Sequence, residues 1–395
     1  MPTDLVFSIM SDNGAIIQPI LDAFEAETGI RVILEVMDWD LAWNELVRAA
    51  IYNKGPDISE IGSTWMRDLV GMNVLRPFTV GEIASMGRSQ SYVPAAWANV
   101  ALSGERAWAV PWMAGSRLIY YRPRLFAQAG VDPANAFASP ERLLETAWAL
   151  YENGVRVPLT IATGGTHATL HNISSWIWAE GGDFLSPDGE SLAILSPEAL
   201  RGMRAYFLLG RFLPPGVPLI GAETPEEYFR RHTDTAMTIS GTWLFSGLGD
   251  QVYGPESEYA LAPMPGPSFV GGSNLAIWKF SNNVDTAVQL ARYLTRVSVQ
   301  ARLSAQLGLL PARIDALEMD PYSTVESWKM AAAELRSGRS FPAVGMWGVI
   351  EDRLTMGMDE VWKAIFAQPG SDPQEALVRC LTPHCHRLDI LLSNT

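Results

Sequence analysis

The residues of this chain that can do chemistry are gathered in short polar loops. Three of these, Ser11-Asp12-Asn13, Asp38-Trp39-Asp40 and Gly62-Ser63-Thr64-Trp65, carry carboxylates, hydroxyls, an amide and indoles. Such groups exchange hydrogen bonds with a polar solute, and an indole adds a flat apolar face. No Gly-x-Ser-x-Gly elbow, Walker loop or dinucleotide fingerprint occurs. Asp38, Asp40 and Glu351 are the acid and base residues a glycoside hydrolase would need, yet nothing in their spacing makes them a pair. The expectation is a binding protein without catalysis. Cys380, His384, Cys385 and His386 are metal-ligand types, but near neighbours rarely all reach one ion, so neither metal nor cofactor is expected. The two cysteines flank Pro383 and either close a small disulfide or stay free.

The elements that must position the loops follow from hydrophobic patterning. Leu5 to Met10 reads as a buried strand, Ala15 to Thr28 as a helix closed by Gly29, and Ile30 to Met37 as a second strand. A helix over Leu41 to Tyr52 and a strand over Asp57 to Ile61 complete a β-α-β-α-β opening, which implies a mostly parallel sheet. In such sheets ligands meet the loops beyond the carboxyl ends of the strands, where all three polar loops fall. Further on, Ala107 to Val110 and Arg117 to Tyr121 are strand-like, and residues 111 to 116 between them read as a hinge. Helices are predicted at Pro140 to Glu152, Ser174 to Glu180, Pro197 to Gly210 and Pro225 to Arg231. Asp234 to Ser240 and Leu275 to Phe280 read as strands, and Asn283 to Leu307 as a long helical region. Pro263-Met264-Pro265-Gly266-Pro267 and Gly308-Leu309-Leu310-Pro311 read as crossovers between lobes.

Length and composition agree with two α/β domains. The 395 residues exceed what one small core organises, and 48% hydrophobic content permits a large one. A net charge of -14 argues against a nucleic-acid partner, which would require a basic face. There is no run of eighteen apolar residues to span a membrane. The chain begins Met1-Pro2-Thr3-Asp4 and enters a strand at once, which reads either as cytosolic or as a mature form without its export segment.

The ordered motifs Phe24-Glu25-Ala26-Glu27-Thr28-Gly29-Ile30, Gly55-Pro56-Asp57-Ile58, Ala109-Val110-Pro111-Trp112, Leu118-Ile119-Tyr120-Tyr121 and Ala236 through Trp243 carry a family likeness. Val270 through Ile277, Gly308 through Arg313, and Trp347 ahead of a helix extend it over some 350 residues. In their order and spacing the chain resembles the carbohydrate-binding members of the extracellular solute-binding proteins, which include the maltose-binding proteins. The resemblance implies a two-lobed periplasmic-binding-protein fold, with a ligand cleft at the hinge. The N-terminal lobe would comprise residues 1–113 and 268–316, and the C-terminal lobe 114–267 and 317–395. It also implies a periplasmic or cell-surface location, a carbohydrate ligand, an ABC transporter permease as partner, and a monomer.

A sugar presents hydroxyls at its rim and C–H groups on its faces, so its site needs aromatic platforms and forked hydrogen-bonding groups. The resemblance places Trp243, after Gly241, and Trp347 as stacking aromatics. Asp12, Asn13, Trp39, Ser63, Thr64 and Trp65 occupy the loops of one lobe. Trp112 and Arg117 flank the hinge, with the arginine able to hold adjacent hydroxyls. His171 and Trp176 would face the ligand from the second lobe, and Gly272 and Ser273 would offer backbone N–H groups. Glu351 stands one helical turn after Trp347, where maltose-binding relatives carry an arginine. Gly115 and Thr64-Trp65 also depart from the charged residues of those relatives, which points to a sugar other than maltose.

Overall fold

The computed structural model describes residues 4–10, 14–102, 106–164, 166–213, 224–248, 257–342 and 344–392. The strands are Leu5–Met10 (β1), Val32–Met37 (β2), Ile58–Gly62 (β3), Leu75–Arg76 (β4), Val110–Tyr121 (β5), Val157–Thr160 (β6), Thr235–Gly241 (β7), Ala260–Ala262 (β8), Val270–Trp278 (β9) and Leu310–Pro311 (β10). The chain divides into two compact units. The first comprises Met1–Gly115, Val270–Arg336 and Ala343–Trp347; the second comprises Ser116–Phe269, Ser337–Pro342 and Gly348–Thr395.

In the first unit β1 lies between β2 and β3 and is parallel to both, with Leu5 opposite Val32 and Phe7 opposite Ile58. The β-α-β-α-β opening produces this arrangement, because a strand returning through a helix re-enters the sheet in the same direction. β9 then adds antiparallel to β3, pairing Ile58 with Ile277 and Gly62 with Ser273. Phe7, Ile9, Ile61 and Trp278 are fully buried. Ser8 and Ser59 share a hydrogen bond of 2.7 Å inside this core, and the Trp278 indole N–H donates to the Ser59 hydroxyl at 2.7 Å. The buried hydroxyls thus find partners within the sheet, as buried polar groups must.

In the second unit the C-terminal half of β5 lies between β8 and β7, antiparallel to both, and β6 runs parallel to β7. Arg117 is the register partner of Gly241. Local sequence sets the helix starts. Ser139 caps Pro140–Glu152 by accepting from the Arg142 N–H, and Thr224 with Glu227 forms a reciprocal capping box on Pro225–Arg231. Trp176 and Tyr206 pack edge to face at 5.0 Å, and Phe207 meets Trp362 at 4.6 Å, forming the aromatic centre of this unit.

Several expectations are revised. Residues 111–116 do not form a connection: β5 is one strand of twelve residues, because Val110 to Ala114 are buried on both faces and pass extended through the packing. Residues 317–336, expected in the second lobe, pack with the first unit. Tyr322 is buried there, its hydroxyl 3.1 Å from the carbonyls of both Ala301 and Leu309. The helical region over 283–307 is two helices, Val284–Leu294 and Val297–Gln306. The predicted crossover at 263–267 belongs to the second unit, where Gly266 exchanges two hydrogen bonds with the Ser175 hydroxyl. Likewise β10 pairs with the first half of β5 inside the first unit. Cys380 and Cys385 are free thiols on the continuous helix Pro373–Leu392, where a separation of five residues turns their side chains about 140° apart. No helix among the described residues is long and apolar enough to cross a membrane.

Candidate functional site

Within the second unit, four elements bring a polar relay against an aromatic ring. Arg117 projects from β5, His171 from the helix His167–Ala179, Glu351 from the helix Trp347–Ala367, and Trp243 from the turn after β7. Hydroxyl clips fix their approach. Ser268 Oγ accepts from the Arg117 N–H at 2.7 Å and donates to the Arg117 carbonyl at 2.9 Å. Ser175 Oγ holds Gly266 in the same reciprocal way, at 3.0 and 2.9 Å. One serine therefore fixes β5, and the other the histidine helix, to the same segment, 266–268. Phe269, next in the chain, stacks on the His171 ring with centroids 4.2 Å apart and planes 12° apart.

The guanidinium of Arg117 lies over the Trp243 ring at 4.5 Å and reaches His171 Nδ1 through Nη2 at 3.2 Å. On its other nitrogen, His171 Nε2 is 3.0 Å from Glu351 Oε1, which also lies 3.2 Å from His167 Nδ1. Glycine at 241 is required by this arrangement: a Cβ there would stand 1.9 Å from the Trp243 ring. Trp243 itself is 39% exposed, so the ring that carries the arginine also meets solvent.

Charges follow from this packing. Burial lowers the Arg117 pKa to about 10, against the opposing pull of Glu226, Tyr120 and Tyr206, and the group remains a cation at neutral pH. Among the described residues no carboxylate is in salt-bridge contact with it, and its Nε is buried without a hydrogen-bond partner. Burial works to raise the Glu351 carboxyl, but hydrogen bonds from His167 and His171 hold it at about 2. Burial lowers the His171 pKa, whereas the Glu351 hydrogen bond raises that of His167.

The first unit carries a different kind of surface. The Trp65 ring lies 5.8 Å from Trp39 and 5.7 Å from Trp43, at the carboxyl ends of β2 and β3. Trp65 and Trp43 rest half-buried on the core around Ile61, Met66 and Leu69, while Trp39 is 44% exposed. Ser63 and Thr64, both half-buried, form the turn leading to Trp65. Beneath the strand ends, Glu60 accepts the Met10 N–H at 2.7 Å, and burial raises its pKa to about 7 against the hydrogen bonds from Ser273 and Met10.

Of the residues read from sequence, Arg117, His171, Gly241, Trp243 and Glu351 are brought together in the second unit, and Trp39, Ser63, Thr64 and Trp65 in the first. Five aromatic and backbone assignments are corrected. Trp112 is fully buried in β5, edge to face with Phe7, and Trp176 is fully buried against Tyr206, so neither offers a face to a solute. Trp347 is only 2% exposed. Gly272 is needed for close approach to the chain itself, since a Cβ would stand 2.2 Å from the Met113 carbonyl, and Ser273 is buried facing Glu60. Asp12 and Asn13 lie outside the described residues. Sequence reasoning missed His167, Phe269 and Ser268. His167 had a signal, since it stands four residues before His171 and so shares its helix face.

His167, His171 and Glu351 place one donor atom each within 4.8 Å of one another, the spacing of a three-ligand metal site. The hydrogen bonding opposes that use. Arg117 can only donate, so His171 Nδ1 must accept, and a neutral imidazole then carries its proton on Nε2, the nitrogen facing the other two ligands. The trio is a hydrogen-bonded set before it is a ligand set.

Comparison with known proteins places the fold. Residues 20–332 match the family model described as bacterial extracellular solute-binding protein. A protein of Brucella abortus named as a binding protein is 23% identical over 363 residues, covering 88% of this chain and 85% of its own. The diacetylchitobiose binding protein DasA of Streptomyces coelicolor is 20% identical, covering 83% and 77%. An ABC transporter solute-binding protein from Thermotoga lettingae, solved with α-D-tagatose, superposes with a TM-score of 0.83 at 21% identity, covering 99% of this chain and 100% of that one. The two-unit α/β architecture is thus the two-lobed fold of these proteins, and the chain belongs to the bacterial extracellular solute-binding proteins.

Proposed function

We propose that this solute-binding protein captures a carbohydrate for an ABC transporter, outside the cytoplasm, and performs no catalysis. The observation that carries the reading is the Arg117–Trp243 pair. A half-exposed indole offers a platform for the C–H face of a sugar ring, and the guanidinium stacked on it has donors to spare for hydroxyls. The exposed Trp39 and half-buried Trp65 supply a second aromatic surface on the first unit. The ligands of two of the similar proteins, diacetylchitobiose and α-D-tagatose, agree with a sugar. A hydrolase would need a carboxylic acid with a raised pKa beside the bond it cleaves; Glu351, the sequence candidate, is held at about 2 and is bonded to two histidines.

A thermal-shift panel tests this. Diacetylchitobiose, D-tagatose, common mono- and disaccharides, polyols, sugar phosphates, a dipeptide and spermidine are compared at one concentration. A solute that binds only the folded form raises the melting temperature. The reading expects a neutral sugar to give the largest shift. A shift from the peptide or the polyamine, with none from any carbohydrate, would overturn it.

A further inference from the structure

We infer that His171 is a positioning residue: a neutral imidazole protonated on Nε2 that holds the Arg117 guanidinium in its ligand-facing pose and passes its own hydrogen bond to Glu351. This rests on the reading of Arg117 as a ligand contact, but the tautomer is a property of the free protein.

The argument is one of donors and acceptors. Arg117 Nη2 lies 3.2 Å from His171 Nδ1, and a guanidinium has no acceptor to offer, so Nδ1 presents its lone pair. Nε2 then bears the proton and gives it to Glu351 Oε1, 3.0 Å away on a carboxylate buried to 1% exposure. Both ends are charged, which makes both hydrogen bonds of the stronger kind. Phe269, stacked on the ring, and Phe341, with its centroid 5.6 Å away, fix the imidazole plane. The groups facing His171 are Arg117 from β5, His167 from its own helix, and Glu351 from the helix Trp347–Ala367. Asp352 stands behind His167, and Glu226, Tyr120 and Tyr206 act on Arg117.

Protonation of His171 breaks the relay at one point. Nδ1 would then carry a hydrogen aimed at another donor, and two cations would face each other at 3.2 Å. Because burial holds the pKa of His171 below its ordinary 6.5, the relay is intact at neutral pH and fails on the acid side. Ligand affinity should therefore be flat through neutrality and fall with acidification, as Arg117 loses its anchor. His167, whose pKa is raised by its Glu351 hydrogen bond where that of His171 is lowered by burial, touches Glu351 rather than Arg117, so its effect separates from that of His171.

The experiment has two arms. In the first, the 15N shifts of the His171 imidazole are read in the ligand-free protein and assigned by comparison with His171→Gln. The expected result is the Nε2–H tautomer at neutral pH; the Nδ1–H tautomer would overturn the inference and leave Nε2 open to a metal ion. In the second, binding of the sugar with the largest thermal shift is measured against pH for the His167→Gln variant and for the same variant also carrying His171→Gln or His171→Leu. Glutamine can accept from Arg117 and donate to Glu351, so it should keep the neutral affinity and abolish the acid fall. Leucine should weaken binding about tenfold at neutral pH, as expected for loss of a hydrogen bond to a charged group. A glutamine variant as weak as leucine, or one that keeps the acid fall, would overturn the inference. If no sugar binds at all, the function reading fails while the tautomer still decides the relay.

Discussion

Two arginines of the second unit, one on β5 and one immediately after it, meet opposite fates. Arg122, near the end of β5, is 1% exposed and fully employed. Its Nη1 donates to the Thr235 carbonyl at 2.7 Å and its Nη2 to the Phe229 carbonyl at 2.6 Å, while the rings of Phe229 and Tyr259 cover it at 4.2 and 4.9 Å. Among the described residues, Arg117, five residues earlier, has one imidazole partner, one aromatic neighbour and an unpartnered Nε. Buried polar groups are ordinarily satisfied by the chain that buries them. Arg117 is held in place with a donor to spare, and it is this arginine that the proposed function assigns to the ligand. The tryptophans divide in the same way: Trp347 is packed away, whereas Trp243 keeps an exposed face under Arg117.

Substitutions can break or sharpen that contrast. The largest effect is expected from Arg122→Met, which strands two buried carbonyls, and from Trp347→Ala, which empties a buried indole site. Each should cost about 3–5 kcal/mol in urea denaturation. A near-neutral result at either position would remove it from the structural class. Next comes Glu60→Gln. The wild-type carboxyl has a folded pKa of about 7 against an ordinary 4.5, so native stability is fully present below about 4.5 and is lost as pH rises through 7. Integrated, that amounts to about 3 kcal/mol at most. The glutamine variant should lack this slope between pH 5 and 8, and an unchanged slope would show that Glu60 does not cause it. Smallest in stability should be Arg117→Met, about 1–2 kcal/mol, because it strands one imidazole nitrogen rather than two buried carbonyls. A loss as large as that of Arg122→Met would erase the distinction.

How much of this was legible in the sequence depends on how local each feature is. The β-α-β-α-β opening and the proline-led helices are written in adjacent residues, and these elements form where they were read; the caps at Ser139 and Thr224 are equally local but were not read. The aromatic surface of the first unit was equally accessible, since Trp39 and Trp65 lie in loops at strand ends. The relay was not, because His171 and Glu351 lie 180 residues apart and Arg117 and His171 lie 54 apart. No periodicity signals such a contact. Trp112, Trp176 and Trp347 were misjudged for a related reason: an indole suits a core as well as a platform, and only the packing of remote elements decides between them. The unbroken course of β5 through residues 111–116 was hidden because Pro111 and Gly115 are turn formers by local rule, whereas burial on both faces of Val110 to Ala114 keeps them extended.

The central claim is that the Arg117–Trp243 pair holds a carbohydrate. Isothermal titration of that sugar into wild type, Arg117→Met and Trp243→Ala, with melting temperatures recorded on the same samples, tests it most directly. Binding should weaken at least about tenfold in each variant, the scale of a lost stacking platform or charged hydrogen bond, with each melting within a few degrees of wild type. Wild-type affinity in both folded variants would contradict the account.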